Sequence, residues 1–338
     1  MLTRRRRRQW RRREFSLGAI GMGVAASCSK GDAAHDREQA PAVAAADDAA
    51  TPVTPSSAGE RSASGRALAL LKWLDPDATA VMLSRLPSDL DPDAITTVFA
   101  VPPKAARLLR DAAALEPALD AVLPIDAPRP PSWLAPETLA FSSLVATGTY
   151  LVRPLQRPSA EIEPILLGAK MRADPVDGFT MLVPEGPLPY RVVLLPDDVA
   201  AFVPAREIGS GLGPLTAGRD LPAGAVEREL ARVLEEEPDA LLELAAAGPL
   251  IHFDLGQDVI QFVVRMRAWQ GGIDVQIRLH PSGDAAVAAN ALTNRDVSLE
   301  SDQIRALCGR VAFTVDGPYV DGRLQLTADD VAVLRVRK

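Results

Sequence analysis

Apolar residues recur along the chain at two spacings, and the spacing changes at clusters of Gly, Pro, Asn and Asp. Helical spacing predicts helices over Arg66–Leu74, Lys104–Leu123, Ala160–Met171, Ala225–Glu237, Asp239–Ala247, Asp284–Leu292 and Asp302–Cys308. Alternating or short continuous apolar runs predict strands over Ala80–Leu86, Thr138–Leu155 with a break near Gly148, Phe179–Val183, Tyr190–Leu195, Val199–Val203, and again after Leu250. Short turns, not crossover helices, join neighbouring strands. The expected fold is therefore α+β, with antiparallel sheets covered by helices.

The C-terminal half gives the sharpest expectation. Gly271-Gly272 reads as a two-residue hairpin turn that pairs Gln270 with Ile273, Ala268 with Val275, Met266 with Ile277 and Val264 with Leu279. A turn at Gln257-Asp258 pairs Leu255 with Ile260, Phe253 with Phe262 and Ile251 with Val264. Both registers sort the aliphatic residues to one face and predict a three-stranded meander within residues 250–280. The strands are Leu250–Leu255, Ile260–Trp269 and Ile273–His280. The opposite face then gathers Arg265, Arg267 and Arg278, with His252 and His280 on either side of Val263 and Arg265 directly opposite Arg278. Such a cluster is a candidate face for an anionic ligand or an acidic protein partner, because guanidinium groups form bidentate bonds to carboxylate or phosphate. The competing reading is a solvated sheet face neutralised by Asp254, Asp274 or an acidic helix.

The first 28 residues follow a different pattern. A tract of arginines leads into Arg12-Arg13-Glu14-Phe15, then a short apolar stretch diluted by Gly18, Gly21 and Gly23, then Ala25-Ala26-Ser27-Cys28. The order basic, apolar, small-residue is that of a bacterial export signal, and Arg12, Arg13 and Phe15 resemble the twin-arginine (Tat) signal class. Phe15 to Ser27 is too short for a bilayer-spanning helix, which needs about 20 apolar residues. Cys28 resembles the lipid-bearing cysteine of a bacterial lipobox, with Ala25 standing where that pattern has Leu. Ala25 and Ser27 also satisfy an ordinary A-x-A-like cleavage site, so both readings stand. A nucleic-acid-binding arm would explain the arginines but not the segment that follows them.

Composition divides what remains. Ser29–Ser62 holds no Leu, Ile, Phe, Tyr or Trp, cannot bury enough surface to offset its ordering entropy, and is expected to be a disordered tether reaching roughly 30 to 35 Å. The expected organisation is thus an export signal over 1–27, a lipidated Cys28 with tether over 28–62, and a globular body over 63–338. The Gly- and Pro-rich stretch 204–224 is a possible subdomain seam. Residues 1 to 28 carry eight Arg and one Glu, so the rest of the chain holds 29 basic and 43 acidic residues, a balance of −14 against −7 for the whole. An acidic body disfavours nucleic acid as a partner.

Sequence motifs for chemistry are sparse. Only Cys308 remains beside Cys28, which excludes a disulfide framework, and its apolar setting reads as a small buried hydrophobe. Asp89-x-Asp91-x-Asp93 lacks the Gly and the closing Glu of a calcium loop, and its Asp-Pro-Asp reads as a turn or a helix start. The Gly209–Gly213 run lacks the strand and helix of a dinucleotide loop, and no nucleophile elbow, P-loop, zinc-protease or haem motif is present. No cofactor and no metal site are expected, and the aromatic residues, 15 in all, form no visible stacking platform. The sequence reads as an exported, lipid-anchored protein of the cell envelope or periplasm, held at the outer or inner membrane, that acts by binding or assembly. The alternative is an exported enzyme whose cofactor or metal leaves no motif.

Overall fold

A computed structural model describes residues 69–86, 89–143, 148–206, 212–216, 240–252 and 255–335. The export signal with Arg12, Arg13 and Phe15, Cys28, the tether, most of the 204–224 stretch, the helix expected over Ala225–Glu237, and Phe253 and Asp254 lie outside the described residues. The described residues all belong to one compact unit.

Strand β1 (Ala78–Ser84) leads to helices α1 (Pro92–Val98) and α2 (Pro103–Val122), strands β2 (Thr138–Ser143) and β3 (Tyr150–Pro154), and helix α3 (Ser159–Gly168). Four strands follow, β4 (Met171–Val176), β5 (Phe179–Pro184), β6 (Tyr190–Leu195) and β7 (Val199–Pro204), then the short α4 (Gly213–Thr216). The remainder is β8 (Ala240–His252), β9 (Gln257–Trp269), β10 (Gly272–Pro281), α5 (Ala285–Thr293), α6 (Asp302–Arg310), β11 (Ala312–Asp316), β12 (Tyr319–Leu326) and α7 (Ala328–Val333). The described strands form a single twelve-stranded antiparallel sheet, ordered β11-β12-β10-β9-β8-β1-β2-β3-β7-β6-β5-β4. The expectation of helices with antiparallel pairing holds, but the meander is not a sheet of its own. It is strands β8 to β10 of the larger one, and β7 and β8, on either side of the 204–224 stretch, belong to that same sheet.

Burial explains the two kinds of strand pattern. Strands β3 and β7 are buried at every position, as their nearly continuous apolar runs require, because α2 and α3 cover one face and residues 70–74 with Leu212 and Leu215 cover the other. Strand β10 alternates strictly, with Ile273, Val275, Ile277 and Leu279 buried beneath the helices and Asp274, Gln276, Arg278 and His280 turned outward. Helix α1 starts where Asp-Pro-Asp predicts a start: Asp91 accepts the Asp93 amide and Pro92 opens the helix. It stops at Ala100, whose φ of 51° lets Ala100 N–H and Val101 N–H reach the carbonyls of Thr97 and Thr96.

Two expectations need correction. Ala240–Ala247, rich in the strong helix formers Ala, Leu and Glu, lies in strand β8 and not in a helix. Its Leu242, Leu244 and Ala246 fall on the helix-covered face at strand spacing, and burial between β1 and β9 overrides local propensity. The β9–β10 hairpin turns at Gln270-Gly271, both with positive φ, so Gly272 already pairs with Trp269. The register is therefore Ala268 with Ile273, Met266 with Val275, Val264 with Ile277 and Phe262 with Leu279, two residues from the one expected. A shift of two preserves which face each side chain occupies, so the apolar sorting survives over Phe262–Met266 and Ile273–Leu279, while Ile251 and Ile260 are exposed. Gly272 is needed for space: a Cβ there would lie 1.9 Å from the Leu326 carbonyl oxygen, whereas one on Gly271 meets nothing within 4 Å.

The two glycines therefore predict different costs. Gly272→Ala must displace backbone at the end of β12 and should destabilise by about 1–3 kcal/mol. Gly271→Ala suffers only its left-handed conformation, about 1–2 kcal/mol. Urea denaturation of both variants checks the ranking; an equal or smaller loss for Gly272→Ala would contradict the close approach of β12.

Candidate functional site

Arg265, Arg267, Arg278 and His280 stand on the outer face of the C-terminal half of the sheet, as the alternation requires. The countercharges lie on neighbouring strands of the same chain. Arg265 Nε donates to both carboxylate oxygens of Glu243 at 3.0 Å, directly across β8 and β9. Arg278 is bonded to Asp316 and, at 3.0 Å, to Asp321, its cross-strand partner on β12. Its guanidinium also lies 4.6 Å from the centre of the Tyr319 ring, which His280 contacts at 5.0 Å. Asp274 sits opposite Arg267.

The facing pair of arginines does not exist. With the hairpin register shifted by two, Arg265 faces Gln276, and Arg278 faces Val263. His252 also leaves the cluster. The expected turn at Gln257-Asp258 does not form, since Gln257 pairs with His252, and β8 keeps one alternation from Leu242 to His252, with Leu250 and His252 buried and Ile251 exposed; only in β9 does an extra residue, Ile260, exchange the faces beyond it. His252 is thus buried on the helix side, its Nε2 2.8 Å from the Ala100 carbonyl, where it secures the left-handed end of α1. On this face Arg265 and Arg278 are thus paired with carboxylates of the same chain.

A different group of charged residues is buried on the helix side. Arg153, on β3, is 4% exposed and lies beneath α2. Its Nε donates to the Ala135 carbonyl at 2.9 Å and one Nη bonds the same oxygen, while the other donates to Glu116 of α2 at 2.7 Å. Burial pulls the guanidinium below its ordinary pKa, and Glu116 opposes that shift. The pair lines a cavity of about 100 Å³ between α1, α2 and strands β1 to β3. Met82, Leu86, Leu90, Ile95 and Leu109 supply its aliphatic lining, and Ser84 and Thr138 join the charged pair as polar lining. Pro117 lies inside α2 and has no N–H, so the carbonyl of Ala113, another lining residue, lacks its usual helical partner. The sequence signal for this site is a lone Arg within the otherwise apolar β3 run, Tyr150–Pro154, a pattern that belongs to no catalytic or binding motif.

Other sequence readings fall into place. Cys308 is buried 3.9 Å from the Thr97 carbonyl, and burial pushes its thiol pKa up. Trp73 and Trp133 are core residues, whereas Trp269 is 39% exposed at the rim. Among the described residues no group of His, Cys, Asp and Glu could hold a metal ion, and no helix is long and apolar enough to cross a membrane.

No family model matches the chain, and no curated protein matches it. Among solved structures it is similar to the Treponema protein TP0453. Crystal form I is 11% identical with a TM-score of 0.40, covering 78% of this chain and 95% of that one. For crystal form III the values are 12%, 0.38, 78% and 96%. At this level the likeness carries no argument about activity.

The charge pairs give a graded prediction. Glu243 is 7% exposed, so Arg265→Gln should weaken a largely buried ion pair and cost about 2–3 kcal/mol. Adding Glu243→Gln should restore most of that loss. Arg278→Gln, whose pair is partly exposed, should cost about 1 kcal/mol or less. Denaturant midpoints of the four proteins check the order; equal losses for Arg265→Gln and Arg278→Gln would contradict it.

Proposed function

We propose that the protein is exported by the twin-arginine route, lipid-anchored to the cell envelope through Cys28, and acts there by binding or assembly. The order of residues 1–28 carries this reading: arginines, Arg12-Arg13-x-Phe15, a short apolar stretch, and small residues ending at Cys28. A 34-residue stretch without Leu, Ile, Phe, Tyr or Trp then separates Cys28 from the body, as a protein held clear of lipid headgroups requires. The membrane is the first partner, reached through the anchor. The excess of acidic residues over basic ones after Cys28 disfavours nucleic acid as another.

Membrane association should depend on the sulfur of Cys28, because the apolar stretch before it is removed with the signal. Cys28→Ser should move the processed protein from the membrane to the soluble fraction, as read by fractionation and immunoblot. Retention at the wild-type level would refute the anchor. Replacing Arg12 and Arg13 together by Lys should leave the precursor in the cytoplasm; export at the normal rate would refute the twin-arginine route.

A further inference from the structure

We propose that the cavity between α1, α2 and strands β1 to β3 is a binding site for the apolar end of a small uncharged amphiphile bearing a hydroxyl group. The inference rests on the body alone and is independent of export or anchoring.

The size of the site argues for a short alkyl group. About 100 Å³ is some two-thirds of the ~150 Å³ engineered apolar cavity that admits benzene. The aliphatic lining from Met82, Leu86, Leu90, Ile95 and Leu109 favours such a group over a cluster of waters, which needs several polar partners for each molecule. The polar lining argues for a ligand without net charge. Arg153 and Glu116 already neutralise each other, so a carboxylate would have to displace Glu116, and an ammonium would have to displace Arg153. Either would bury an uncompensated charge.

The polar lining offers complementary hydrogen bonds. Ser84 Oγ accepts the Leu86 amide at 3.1 Å and keeps a proton to donate. The second carboxylate oxygen of Glu116 and the Ala113 carbonyl are acceptors. A hydroxyl both donates and accepts, which suits this set better than a pure acceptor or a pure donor.

The test is methyl-region NMR of the full-length chain titrated with 1-butanol, butyrate and butylamine. With 1-butanol, the Met82, Leu86, Ile95 and Leu109 methyl signals should shift and saturate, and the two charged analogues should bind about tenfold more weakly or worse. Ala113→Leu should fill the cavity and abolish the 1-butanol response while the rest of the spectrum is preserved; if that variant does not fold, Ala112→Val serves the same purpose. Shifts that stay linear with concentration, equal affinity for the charged analogues, or a saturable response surviving in the filled variant would each overturn the proposal.

Discussion

The rest of the fold depends on the seven residues of β1. This strand pairs with β2 on one side and with β8 on the other, so it joins residues 138–143 to residues 242–246 through its own backbone. Its side chains serve both cores. Ala80 and Met82 pack beneath the helices, whereas Val81 and Leu83 enter the smaller core on the opposite face. A strand buried on both faces and on both edges cannot tolerate an unpaired backbone group, and one continuous sheet follows from that requirement.

The two halves on either side of β1 solve the problem of the second face differently. Strand β7 is apolar throughout, and β3 is so but for Arg153, because both of their faces are covered. Strands β8, β9, β10 and β12 carry a lattice of opposite charges outward, with Glu243 against Arg265 and Arg278 against Asp321. Like charges directly opposite each other would be costly, and the β8–β9, β9–β10 and β10–β12 registers pair none. The sheet ends are blunted in turn: β4 carries Arg172, Asp174 and Pro175, and β11 is five residues long and ends in Asp316.

Elements set by periodicity were legible in the sequence. Helix α2, helices α5 and α6, and strands β5 to β7 lie within a residue or two of their expected limits, since each shows its burial in its spacing. The faces occupied by Phe262–Met266 and Ile273–His280 were also legible, because the error in register was even. What failed depended on distant contacts. The Leu326 carbonyl decides that Gly272 belongs to the strand, and β1 decides that Ala240–Ala247 is extended. His252 continues the buried alternation of Leu242, Leu244, Ala246 and Leu250, which a strand taken to start at Leu250 with Ile251 inward does not reveal. The Glu116–Arg153 pair was invisible for the same reason: 37 residues separate its members, and only the packing of α2 on the sheet unites them.

The account stands on β1 as the strand that makes the two halves one cooperative unit. Native-state hydrogen exchange tests this directly, through the amide protection of Val81 to Leu83 on β1, Val192 and Val193 on β6, and Val275 to Ile277 on β10. The account predicts that these amides share one opening free energy, equal to that of global unfolding, and fall together when Val81→Ala weakens β1. Protection that splits into two levels, with β10 unchanged by Val81→Ala, would contradict it.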